Sequence, residues 1–339
     1  MTPVLEHQLI ARLVAGLPRS PLQLNGLHES DAELVALPGS DVVLAVTTDA
    51  LAEELATGLY GDPWLIGWML VMVNASDLAA VGAEPLGILL CESLPPDAAP
   101  DWVDALQRGI AEAAIATGLA VLGGDTNASP VPHFAATAIG LVRGPPALTR
   151  RGCRPADLLY ASAPLGAGGA YACDRLLRPT THGAGFPFRP VARIAEGRLL
   201  RGRAGACMDT SDGAIATLDE LMTRNGVGFR LDTPLEDWTD ARAAAVAGAA
   251  GLPAWTLHAG PHGEFELLFT VPPNREAELL RAATGIGWVP VRLGRAVPEP
   301  GLTFSLDGVR QPVDARRLRN LFTECGGDPQ RYITSLLSE

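Results

Sequence analysis

The chain has 339 residues, 47% hydrophobic and 19% charged, long enough for roughly two domains with full cores and globular in balance. Its formal net charge is −12, which argues against a nucleic-acid or anionic-membrane surface, since either needs a basic face. All 26 basic residues are arginine, so a lysine-bearing phosphate loop and Schiff-base chemistry are both excluded.

The five cysteines (Cys91, Cys153, Cys173, Cys207, Cys325) are widely spaced and never form a C-x-x-C pair, as expected of reduced thiols in a cytoplasmic protein. The N-terminus "MTPVLEHQLIARLV" is no signal peptide. The apolar run Trp64 to Val73 falls short of the roughly twenty residues that span a bilayer and reads as a buried core helix.

In chain order, "DVVLAVTTD" (41–49) predicts a strand and 63–82 a long helix. "PLGILLCESL" (85–94) predicts a strand, "DWVDALQRGIAEAAIATG" (101–118) an amphipathic helix, "LAVLGGD" (119–125) a strand entering a glycine turn, and "HFAATAIGLV" (133–142) a strand. "RGPPALTRRGCRPAD" (143–157) marks a boundary, giving domains 1–145 and 146–339. Beyond it, 158–177 and 205–226 each read strand, glycine turn, helix, with Ser211 the expected N-cap of the second helix. A loop at 181–190, a strand over 263–271, a helix over 274–285, and strands near 288–296 and 302–306 complete the pattern.

Aspartates collect at the ends of these elements: Asp31, Asp49, Asp77, Asp125, Asp209 and Asp212. Asn74 and Asp77, three apart, share one helix face. Each alone is commonly a cap. Gathered in one place, such carboxylates repel one another unless cations intervene, and hard oxygen ligands select Mg²⁺ or Ca²⁺. Glycines at 123–124 and 166–169 suit the approach of backbone N–H groups to phosphate. None of the histidines at 28, 133, 182, 258 and 262 has metal spacing; His262 is the candidate acid–base group.

The motifs "TTDAL" (47–51), "VNASDLAAVGAEP" (73–85), "LGGDTN" (122–127), "MDTSDG" (208–213) and "GEFELLFT" (263–270) resemble those of the aminoimidazole ribonucleotide (AIR) synthetase-related superfamily. Within it, the chain is most similar to the thiamine-monophosphate kinase family. The resemblance implies a two-domain PurM-like α/β fold. Its N-terminal domain (1–145), carrying the ATP and Mg²⁺ site, pairs with that of a second subunit into a β-barrel. A mixed α/β domain (146–339) follows, and the molecule is a cytoplasmic homodimer.

It further implies Asp31, Thr48, Asp49, Asp77, Asp125, Asp209 and Asp212 as metal-holding residues, with Asp212 also catalytic. Asn74, Gly123, Gly124, Thr126 and Ser211 would contact the nucleotide, and Glu264 the small-molecule acceptor, thiamine phosphate. The family pattern is altered at Ser30, Ala56, Met69 and Ala128, where the kinases carry aspartate, histidine, lysine and arginine. Two other outcomes remain open: ATP-dependent activation of an amide or carbonyl oxygen, and nucleotide binding without turnover.

Overall fold

The computed structural model describes residues 3–177, 185–306 and 309–338. Helices are α1 (Leu5–Val14), α2 (Ala52–Ala56), α3 (Pro63–Ala80), α4 (Pro100–Thr117), α5 (Ala167–Leu177), α6 (Ile194–Leu200), α7 (Ala214–Asn225), α8 (Leu235–Trp238), α9 (Ala241–Ala249), α10 (Glu276–Gly285), α11 (Ala315–Glu324) and α12 (Pro329–Leu336). Strands are β1 (Glu33–Ala36), β2 (Val43–Ala50), β3 (Glu84–Leu94), β4 (Val121–Ala128), β5 (His133–Val142), β6 (Leu158–Ala161), β7 (Cys207–Asp209), β8 (Gly228–Leu231), β9 (Leu267–Val271), β10 (Val291–Val297), β11 (Leu302–Leu306) and β12 (Val309–Val313). They form two compact α/β units, each with one mixed sheet.

The first unit comprises residues 24–149 and 189–202. Its sheet runs β1-β2-β5-β3-β4, antiparallel except for the β3–β4 pair. Helix α3 starts at Pro63 behind the N-cap Asp62, whose carboxylate accepts from the Trp64 N–H, and is apolar on nearly every side. By length and composition it could cross a bilayer, yet 78% of it is buried inside the protein. It packs on the sheet and on α4, where a Cβ on Gly67 would stand 2.1 Å from the Leu106 carbonyl oxygen and one on Gly109 only 2.0 Å from that of Trp64. The two backbones touch, and only glycine permits it.

Segment 189–202 belongs to this unit although it lies beyond the 143–157 boundary. Arg189 lays its guanidinium over Trp68 at 4.2 Å and Trp64 at 5.0 Å. Gly197 of α6 meets the Ala79 carbonyl, and Arg201 donates to the carbonyls of Arg143 and Pro145.

The second unit comprises residues 1–23, 150–188 and 203–339. Its sheet runs β12-β11-β8-β10-β6-β9-β7, antiparallel except for β11–β8. Pro312 sits on the edge strand β12, where a missing N–H costs no ladder bond. Leu159, Ile215, Leu218, Phe229, Leu268 and Phe304 lie in one core cluster under α7. Along the α7–α11 seam runs an ionic network. Glu220 and Asp219 pair with Arg319 and Arg316, and His7 of α1 reaches Glu220, which ties the N-terminal helix to this unit.

Three expected local features differ. Glycines 123 and 124 lie inside β4 and not in a turn; a Cβ on Gly124 would come 2.0 Å from the Leu90 carbonyl of the adjacent strand. Ser211 is not the N-cap of α7. That position is Gly213, at φ 84°, while the Ser211 hydroxyl turns back to Asp209. The strand expected over 263–271 begins only at Leu267, because Phe265 takes a left-handed backbone at φ 61°. Of the loop expected over 181–190, residues 181–184, with His182, lie outside the described residues; 185–190 have no regular structure.

Candidate active site

In the first unit, β2 delivers its polar end to the C-terminal half of α3. The Thr47 hydroxyl donates to Asp77 Oδ2. Asn74, fully buried, accepts the Asp49 backbone N–H at 3.2 Å through Oδ1 and donates from Nδ2 to the Leu70 carbonyl at 3.0 Å. Strand and helix are thus cross-linked at two points, and the oily half of α3 anchors both polar side chains. Asp31, just before β1, presents a carboxylate oxygen within 4.8 Å of one from Asp77. Both aspartates are half-buried, so their charges are poorly screened.

Thr48 takes the other face of β2. Its hydroxyl donates to the Ala136 carbonyl and accepts from Thr137. The threonine that meets Asp77 is Thr47, which sequence reasoning passed over; strand alternation, putting 47 and 49 on one face, was the available signal. Asp125 and Thr126, on β4, are exposed, and Asn127 donates to Asp125 at 2.7 Å. Three strand spacings, about 14 Å, separate β4 from β2 across the sheet. Ladder pairing sets Asp125 in line with Cys91, Ala135 and Ala50, on the face opposite Asp49. The structure therefore gathers Asp31, Asp49, Asn74 and Asp77, and leaves Asp125 and Thr126 apart from them.

In the second unit, Asp209 ends β7, buried, and accepts from the Ser211 hydroxyl at 3.0 Å. Asp212, exposed, follows in the turn into α7. This turn is locked by backbone contact. A Cβ on Gly263 would fall 1.5 Å from the Thr210 carbonyl oxygen, and one on Gly168 would fall 2.1 Å from that of Gly263. The 166–169, 209–213 and 263–268 motifs therefore interlock within this unit.

Gly166 and its neighbours do not offer a free phosphate loop. The Gly166 N–H donates to Glu264 Oε2 at 2.7 Å, and Gly168 and Gly169 lie inside α5 against backbone. Glu264 is buried, and burial pushes its carboxyl up to about 7, against the lowering effect of hydrogen bonds from Gly166 and Thr210. Its Oε1 is buried with no hydrogen-bond partner among the described residues.

His262, the expected acid–base group, is packed among Tyr171, Phe188 and Phe265 with Nδ1 at 3.1 Å from the Gly168 carbonyl. Burial lowers it to about 4, so it is neutral near pH 7.

Residues 29–142 match the model of the AIR synthase related protein N-terminal domain, which covers the acidic cluster of the first unit. The fold and this cluster define an AIR synthase-related protein. The thiamine-monophosphate kinase of Escherichia coli (strain K12) is 30% identical over 316 residues, 91% of this chain and 95% of that protein. The crystal structure of the thiamine-monophosphate kinase from Stenotrophomonas maltophilia K279a aligns with a TM-score of 0.67 at 28% identity, covering 90% and 97% of the two chains. A structure described as AaThiL complexed with AMPPCP and TMP aligns at 0.72 and 24% identity, covering 91% and 94%, a likeness of fold. The chain belongs to the thiamine-monophosphate kinase family.

Proposed function

We propose that this protein transfers the terminal phosphoryl group of ATP to thiamine phosphate, giving thiamine diphosphate and ADP. The observation that carries the reading is the meeting of Asp31 and Asp77, carboxylate to carboxylate, in the matched domain of a chain 30% identical to such kinases. Two half-buried carboxylates within 4.8 Å repel unless a cation or proton lies between them, and an all-oxygen donor set suits Mg²⁺.

In the first unit Asp31, Asp49 and Asp77 are proposed to hold Mg²⁺, with Asp125, on the opposite face of the sheet, proposed to hold a separate ion; in the second unit Asp209 and Asp212 are proposed as metal ligands in their own right. When bound, the metal neutralises charge on the polyphosphate, a role left to it in a chain without lysine. Thr47 fixes the rotamer of Asp77, so that this carboxylate does not reorient on binding, and Asn74 fixes the backbone at Asp49. Asp212, exposed at its turn, is the carboxylate proposed to lie nearest the acceptor, where a bound cation would let it hold the phosphate; Glu264 is proposed as the acceptor-side residue.

A homodimer is part of the reading. Leu86, Leu89, Val121 and Leu122, 41–53% exposed, leave apolar surface open on β3 and the edge strand β4, which suits pairing with the same sheet of a second copy. Five free cysteines fit a cytoplasmic setting.

The test is direct: purified protein with Mg-ATP and thiamine phosphate, thiamine diphosphate quantified by chromatography, and the native mass measured in parallel. No thiamine diphosphate at saturating acceptor, in protein that binds ATP, overturns the assignment.

A further inference from the structure

The outer face of the second unit's sheet carries a patch whose sign opposes that of the whole chain. In β8, Phe229 and Leu231 are buried in the core, so Arg230 and the following Asp232 share the other face. Register sets Arg295 of β10 opposite Arg230 on one side and Thr303 of β11 opposite it on the other. Two residues along from Thr303, Ser305 stands opposite Arg310 of β12. Arg295 and Arg310 thus flank Asp232, with Arg230 on the same face of the sheet, in a protein of net charge −12.

A cavity of about 500 Å³ opens there, lined by Asp232, Arg295, Ser305 and Arg310. That volume lies in the range of small-molecule sites. Asp232 acts as its orienting group. Arg295 donates to Oδ2 through Nε at 3.0 Å and Nη2 at 2.7 Å, while Arg310 approaches Oδ1 only at 3.7 Å. One carboxylate therefore aims two guanidinium groups at the same space while occupying the Nε and one Nη2 donor of Arg295. Nη1 of Arg295 and most of the Arg310 fork remain uncommitted among the described residues, with the Ser305 hydroxyl beside them.

We propose that this cavity is a binding site for a small phosphate-bearing molecule, separate from the kinase site. Planar guanidinium forks match phosphate oxygens two at a time, and a hydroxyl donor on a third strand suits an oxyanion with more than two oxygens, which a carboxylate lacks. The surplus of two lining arginines over one aspartate supplies the attraction that the acidic molecule as a whole does not.

The experiment uses the full chain with a chelator in place of Mg²⁺, so that the aspartates of the kinase site repel the probe. Inorganic pyrophosphate is titrated and its phosphorus NMR line width followed. The expected result is saturable broadening, weakened about tenfold by Arg310→Ala and likewise by Arg295→Ala, and several-fold by Ser305→Ala. The hydroxyl deletion leaves the fold untouched and keeps the test open should an arginine variant misfold. Arg310→Ala is expected to retain the parent's kinase turnover. No broadening up to about 10 mM pyrophosphate overturns the proposal, as does equal broadening in the parent and all three variants.

Discussion

Replacing Glu220 by glutamine takes a negative charge out of the seam between α7 and α11. The side chain is fully buried, with Arg224 at 2.6 Å, Arg319 at 2.7 Å and His7 at 3.3 Å. Burial by itself raises this carboxyl, but the hydrogen bonds from Arg319 and Arg224 outweigh it and bring the group to about 2 from 4.5. With the folded value below the unfolded one, the stabilisation is complete above pH 4.5 and is lost as pH falls through about 2. A gap of that size corresponds to about 3 kcal/mol near pH 7 and about 1 kcal/mol near pH 3. Arg319 gives an independent figure. Its side chain is 8% exposed, and without Glu220 its nearest carboxylate is Asp219 at 3.5 Å. Stranding a buried charge costs about 3–5 kcal/mol, less whatever Asp219 retains. Glu220→Gln is therefore expected to lose about 3 kcal/mol near pH 7 and markedly less near pH 3. Urea unfolding followed by circular dichroism at both pH values measures the difference. A loss below about 1 kcal/mol near pH 7, or one that does not shrink on acidification, refutes the reasoning.

Further expectations concern the site and the backbone contacts that support it. Asp77→Asn should reduce phosphoryl transfer at least about 100-fold and raise the Mg²⁺ needed for half-maximal rate, read from initial rates at increasing Mg²⁺ with folding checked by circular dichroism. Excess chelator should abolish turnover of the parent and restore it on adding Mg²⁺ back. Gly109→Ala drives a Cβ to 2.0 Å from the Trp64 carbonyl, so α3 and α4 must separate; a thermal melt should show a loss of more than about 2 kcal/mol. For Glu264, whose folded value of about 7 lies above 4.5, parent stability falls as pH rises from 4.5 towards 7. Glu264→Gln removes that slope, so its stability relative to the parent should improve across the same interval, and parallel pH profiles would exclude a buried carboxyl of this kind.

Local periodicity made much of the fold legible. The alternation in "DVVLAVTTD", "PLGILLCESL" and "HFAATAIGLV" places β2, β3 and β5 within about two residues of their ends, and α3 and α4 follow from their apolar runs and the Gly118 stop. These elements are set by interactions between residues a few positions apart. The motif set carried the family, because it is a linear pattern and survives at 30% identity. The aspartates at element ends were legible for a related reason, because Asp31, Asp49 and Asp77 stand beside strand and helix patterns that the sequence marks directly.

What the sequence could not decide is where residues far apart along the chain come into contact. Thr47, and not Thr48, faces Asp77 because β2 turns that edge toward α3. Glu264 falls outside its expected strand, behind the left-handed Phe265, and accepts the Gly166 N–H from 98 residues away. Ser211 turns from capping α7 to hold Asp209, and the glycines at 166–169 serve close packing in place of an open loop. Residues 189–202 join the first unit through Arg189 on two tryptophans, and residues 1–23 join the second through His7 and Glu220. Periodicity reports which face of an element is buried; only three-dimensional packing decides which partner buries it, and the partner sets both the direction and the charge of each functional side chain.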